Sequence, residues 1–136
     1  MRFKLDDGAF APVRAHETDA GLDLFAMEDG VVPPGRSAVF HTGVHVELPE
    51  GCMGDVRPKS GLMFGRDILT FGTVDEGYDG EVMVKMFNLG DEEFKVYRGD
   101  KITQLAVVRV VYVPVEIVES IGGGARGSAG FGSTGR

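Results

Sequence analysis

Disulfide chemistry is excluded first, because a chain of 136 residues with one cysteine, Cys52, cannot close an internal bridge. With no histidine or second cysteine at ligand spacing around it, Cys52 reads as a small buried hydrophobe. Tryptophan is absent. No apolar run reaches the roughly 18 to 20 residues of a membrane-spanning helix. The opening Met1-Arg2-Phe3-Lys4-Leu5-Asp6-Asp7 lacks the apolar centre of a secretion signal, and an intracellular protein is the expectation. Positive charge is scarce: 14 Lys and Arg against 21 Asp and Glu leave a net charge of −7. That balance argues against a protein built to grip nucleic acid, although a small anion held by local cations, or by a metal ion it brings along, remains compatible. Histidine is scarce too. His41 and His45 are four apart, but Gly43 lies between them in a segment that is not helical, so solvated or hydrogen-bonded rings are expected in place of a metal set.

What the chain has is turn residues. Its 21 glycines and six prolines divide many short apolar runs, and 43% of the residues are hydrophobic. One all-β sandwich or barrel domain with little helix follows from that pattern. We expect a β core over residues 1–121 and a glycine-rich arm over 122–136.

The stretch Gly72-Thr73-Val74-Asp75-Glu76-Gly77-Tyr78-Asp79-Gly80 organises the rest. An apolar run, Ile68 to Phe71, enters it and an alternating strand with Val82, Val84 and Met86 leaves it, which reads as a hairpin. Its tip is either ordinary acidic turn chemistry or a working site. In the second case the Asp75 carboxylate can orient and deprotonate a water, and the Tyr78 ring can pack under a flat or sugar-like ligand.

Other segments break the β pattern in ways that suggest chemistry. In Ala20-Gly21-Leu22-Asp23-Leu24, an acid stands in mid-strand, either at an edge facing water or kept to meet a cation or a hydroxyl. In Pro58-Lys59-Ser60-Gly61-Leu62, Ser60 can cap a short helix running toward Gly65, beside a lysine; solvated surface and small-anion site are both open. The longest predicted strand, Lys101 to Val113, is apolar on both faces. It is therefore sandwiched, either centrally or against another subunit. Gln104 near its start needs a hydrogen-bond partner from the core or from a ligand. Beyond Gly122 the chain is nearly half glycine, yet Arg126, Phe131, Gly132, Ser133 and Thr134 fall in one short run suited to a phosphate-and-base clamp. Ordering about a dozen such residues costs on the order of 10 kcal/mol, so closure needs a ligand with many charged contacts.

Taken in order, these segments resemble the motifs of the trimeric dUTP diphosphatases. They are Ala20 to Leu24, Pro58 to Leu62, Gly72 to Gly80, Gly99-Asp100-Lys101-Ile102-Thr103-Gln104-Leu105, and Arg126 to Gly135. The resemblance implies a jelly-roll-like β fold in a homotrimer, with active sites shared between subunits and the arm of one closing over a site made by others. It implies hydrolysis of dUTP to dUMP and pyrophosphate, which limits uracil in DNA and supplies dUMP for dTMP synthesis. Asp75 would activate the water that attacks the α-phosphorus. Tyr78 would pack under the deoxyribose, and the backbone of the loop, including Gly72 and Val74, would read the uracil edge. Lys59, Ser60, Gly61 and Gln104 would serve the phosphates, and Asp23 would hold waters of a Mg²⁺ that accompanies the triphosphate. Phe131 would stack on uracil, with Arg126, Gly132, Ser133 and Thr134 around the terminal phosphate.

The chain departs from the family pattern in places. Lys59 and Asp79 stand where arginine is common, Ala129 where glycine is usual, and Ile68-Leu69-Thr70-Phe71 runs straight into Gly72 without an asparagine-bearing stretch. A lysine offers a point charge where arginine offers a fork. Two alternatives stay in view. One is a dCTP deaminase-like enzyme, whose glutamate position is Lys85 here; the other is a non-catalytic trimer that senses nucleotide or binds protein.

Overall fold

A computed structural model describes residues 1–124 and Gly127. Among them, eleven strands form antiparallel sheets and one short helix joins them, the expected all-β architecture. The largest sheet has the order β2 (Gly21–Phe25), β11 (Lys101–Arg109), β6 (Cys52–Arg57) and β8 (Gly72–Val74). A second sheet has the order β4 (Ser37–Phe40), β9 (Val84–Asn88) and β7 (Ile68–Thr70). Two strand pairs complete the frame: β1 (Arg2–Leu5) with β5 (Val44–Glu47), and β3 (Gly30–Val32) with β10 (Phe94–Val96). Alternating side chains from these strands make two adjoining cores. One gathers Leu24, Val44, Val46, Val56, Val74 and Leu105; the other gathers Phe40, Ile68, Val84, Met86, Val96 and Ile102.

Strand β11 reaches both cores because its pairing with β2 slips between Lys101 and Thr103. The irregularity spends one extra residue, so Ile102, Thr103 and Leu105 are all buried where strict alternation would expose one of them. The strand ends at Arg109, four residues short of the sequence expectation. Val111, Tyr112 and Val113 beyond it are exposed and outside any strand, with no strand among the described residues to pair with them.

The predicted hairpin is also corrected. β7 and β8 lie in different sheets, and the strand that leaves the loop, β9, pairs with β4 and β7 and not with β8. Residues 75–83 therefore bridge the two sheets. The helix α1 (Ser60–Arg66) forms where expected, but Lys59 is its N-cap residue and no side chain caps it. Asp67 ends it in the left-handed conformation at φ 55°. Cys52 is half-buried, not fully so. No helix among the described residues is long and apolar enough to cross a membrane.

Candidate active site

The loop after β8 is shaped by one tight turn. The Tyr78 N–H donates to the Asp75 carbonyl at 3.1 Å, and Gly77, third in that turn, sits at φ 82°, a conformation that favours glycine. The turn sets the exposed Asp75 carboxylate and the Tyr78 ring on one short segment, as the sequence predicts. Tyr78 then folds back: its hydroxyl donates to the Glu81 carbonyl at 3.1 Å. Below it lies a cavity lined by Val56, Phe71, Gly72, Val74, Tyr78 and Met83, among others. β8 is the last strand of its sheet, so its outer edge offers backbone N–H and C=O groups that no strand among the described residues pairs. An edge of that kind beside an apolar wall suits a flat, hydrogen-bonding ring.

A second group of predicted residues gathers at the start of β11. Asp23 is buried at 6% exposure, pairs with Lys59, and pairs with Lys101 at 2.9 Å. Burial pushes its carboxyl pKa up, but the hydrogen bonds and charges of the two ammonium groups outweigh that and hold it below the ordinary value. Of the two readings, Asp23 is thus the one kept to meet cations. Gln104 stands opposite Asp23 in the register, and its amide donates to the Pro58 carbonyl at 3.0 Å, locking the strand to the turn before α1. Its side chain lies over Gly21, where a Cβ would come 2.4 Å from Oε1, so that glycine gives Gln104 its room. Ser60 and Gly61 are exposed on the first turn of α1.

The two groups line different cavities. Gln104 faces a groove with Gly21, Arg57, Pro58, Ala106 and Val108, whereas Gly72, Val74 and Tyr78 line the other. The outer face of β11 is therefore the apolar strip that the sequence predicts to lie against something else. Arg126, Phe131, Gly132, Ser133 and Thr134 lie outside the described residues.

Several contributors escape sequence reasoning. Lys101 joins Asp23 only because of the slip in β11. Phe71 stands beside Gly72 with its ring stacked on Phe87, centroids 5.0 Å apart and planes 4° apart. The direct run of Phe71 into Gly72, a departure from the motif pattern, could have flagged it. Glu81 gave no signal, because a lone acid after a turn is ordinary.

As for a metal, no three His, Cys, Asp or Glu side chains converge to hold one among the described residues. Asp23 is a single hard oxygen donor already shared by two lysines. Such a set fits a Mg²⁺ whose ligands come chiefly from phosphate oxygens and water, the usual arrangement for this ion at nucleotide sites.

Comparison with known proteins identifies the family. The dUTPase family model matches residues 8–135. The chain is 47% identical over 135 residues to a deoxyuridine 5'-triphosphate nucleotidohydrolase of Clostridium acetobutylicum, covering 97% of this chain and 93% of that one. It superposes with a TM-score of 0.91 and 28% identity on the Staphylococcus bacteriophage 80alpha dUTPase with dUPNHPP, covering 99% of this chain and 98% of that chain. A point mutant of the phage phi11 enzyme of S. aureus, described as showing the coordination of a structural Mg(II) ion, matches at a TM-score of 0.80 and 27% identity, covering 88% of this chain and 96% of that chain.

Proposed function

The chain belongs to the dUTPase family and is a dUTP diphosphatase, and from that premise we propose how its residues divide the work. Uracil sits against the outer edge of β8, where backbone groups near Gly72 and Val74 read its polar edge and the walls of the cavity leave no room for a 5-methyl group. Tyr78 packs under the deoxyribose and excludes a 2′-hydroxyl. Asp75 orients one water, takes its proton and directs its oxygen to the α-phosphorus. The bond to the bridging oxygen breaks, dUMP stays with the new oxygen, and pyrophosphate leaves.

A lone carboxylate is a weak base, so most of the acceleration comes from positioning and from neutralising charge on the phosphates. Lys59, Ser60, Gly61 and Gln104 serve the phosphates, and Asp23 holds waters of a Mg²⁺ that arrives with the triphosphate. When bound, that ion supplies charge neutralisation on the phosphate oxygens. Arg126, Gly132, Ser133 and Thr134 close around the terminal phosphate, and Phe131 stacks on the base. Residues 122–136 act as an arm attached to the β core.

The single observation that carries this division is the placement of Asp75 and Tyr78 on one turn beside an open strand edge. The assembly is a homotrimer with shared sites. Support for it comes from the separation of the two residue groups within one chain and from the apolar outer face of β11, both of which a neighbouring subunit would resolve. Retention of Asp75 favours an enzyme over a purely sensing trimer, and the exposed Lys85 has no carboxylate with which to deaminate cytosine.

The test is pyrophosphate release, with Mg²⁺, from dUTP, dCTP, dTTP and UTP side by side. Release from dUTP alone supports the base and sugar assignments. Release from dTTP or UTP as well would overturn them, and no release with dUTP still bound would turn attention to the regulatory alternative and to Phe71.

A further inference from the structure

Glu81 lies outside the reacting groups, yet its carboxylate is clasped from three sides. Its Oε1 accepts the N–H groups of Thr42 at 2.9 Å and Gly43 at 2.8 Å, and its Oε2 lies 2.8 Å from Nδ1 of His41. Burial raises its pKa, but those bonds prevail and hold it below the usual carboxylate range. The weld continues through Thr42, whose hydroxyl donates to the Val82 carbonyl at 2.7 Å. Gly43 sits at φ 64°, and a Cβ there would come 2.4 Å from the Met27 sulfur and 2.7 Å from Cβ of Ala9, so this turn has one way to present its N–H groups.

Tyr78 depends on what this weld holds. The side chain is 47% exposed, so core packing does not fix it. Its polar anchors are the N–H bond to Asp75 and the hydroxyl bond to the Glu81 carbonyl. The first moves with the turn itself; the second is tied through Glu81 to the frame of the domain.

We propose that Glu81 is a positioning residue for sugar selection: its carboxylate, clasped by Thr42, Gly43 and His41, fixes the carbonyl that anchors Tyr78 and so sets how closely the ring approaches the sugar. The proposal rests on the reading of Tyr78 as the residue under the deoxyribose. An apolar side chain at 81 would leave the N–H groups of Thr42 and Gly43 without their acceptor and loosen the Glu81 carbonyl, leaving it to the backbone bridge with His45 and the 2.8 Å bond from the Val82 N–H to the Val44 carbonyl. The ring would then yield to a 2′-hydroxyl.

The experiment compares kcat and KM for dUTP and UTP in the full-length protein and in Glu81→Ala, Glu81→Gln, Tyr78→Phe and Tyr78→Ala. Glu81→Ala is expected to raise kcat/KM for UTP relative to dUTP about tenfold, with the loss on dUTP falling mainly on KM. Glu81→Gln keeps an acceptor oxygen and should restore most of the discrimination. Tyr78→Phe cuts only the hydroxyl tie and should move the ratio in the same direction as Glu81→Ala. Tyr78→Ala should abolish discrimination altogether. Should Tyr78→Ala leave the ratio unchanged, the reading of Tyr78 falls and the proposal with it. If Tyr78→Ala relaxes selection but Glu81→Ala and Tyr78→Phe do not, the role of Tyr78 stands and that of Glu81 is overturned. If Glu81→Ala does not fold, an unchanged ratio in Tyr78→Phe still overturns the proposal, because the hydroxyl tie is its necessary link.

Discussion

The ring of Tyr78 lies across Gly80: a methyl group on that glycine would come 2.2 Å from the tyrosine hydroxyl and 2.4 Å from the carbon that bears it. Gly80→Ala must therefore push the ring off its seat. We expect kcat/KM for dUTP to fall about tenfold, because a displaced positioning group forfeits part of the alignment it supplied. The melting temperature should change little, since the ring is half exposed. Both are read from one preparation by pyrophosphate release and differential scanning calorimetry.

Asp75→Asn removes the base and keeps the size of the side chain. Turnover should drop by roughly 10²- to 10⁴-fold, the usual contribution of a general base. Affinity for a non-hydrolysable dUTP analogue, measured by titration calorimetry, should stay within a few-fold of wild type. Near-native turnover in this variant would rule out the assigned role.

Deleting residues 125–136 takes away Arg126 and Phe131 together. Turnover on dUTP should fall steeply while the assembly keeps its mass by light scattering. Dissociation into monomers on that deletion would make the segment a structural tie and not a clamp.

Stability should respond to pH on two limbs. The His41 pKa is raised by its hydrogen bond to Glu81, and that of His45 by the Asp79 carbonyl and then Asp6. A raised value stabilises the fold fully below the unfolded pKa of about 6.5 and loses that contribution as pH climbs through the folded value. Asp23 and Glu81, whose values are lowered, act in the opposite sense. Their stabilisation is present above the unfolded pKa of about 4 and is lost as pH falls through the folded values. The melting temperature should thus peak in mildly acidic buffer, and His41→Gln with His45→Gln should flatten the alkaline limb while leaving the acid limb in place.

The local geometry around the candidate residues is partly legible in the linear chain. The turn that carries Asp75 and Tyr78 is readable because a tight turn needs only local residues, and Gly77 supplies its left-handed position. Asp23 was noticed because an acid in mid-strand is costly without a partner. Its partners were harder to name: Lys59 was already a candidate, but Lys101 reaches Asp23 through a slip in pairing that alternation cannot reveal. Glu81 looked like any acid after a turn until Thr42 and Gly43, far away in sequence, presented their N–H groups to it.

The sequence by itself determined the β class, the turns, the order of the motifs and the identity of the groups able to do chemistry. Those follow from short-range rules, from glycine's conformational freedom, strand alternation and the intrinsic reactivity of each side chain. Tertiary structure alone decided that β8 and β9 belong to different sheets, that β11 serves two cores, and that the loop bearing Asp75 spans the gap between them. The reason is physical: alternation says which face of a strand is apolar, but partner and register depend on contacts between distant segments that only the folded chain brings together.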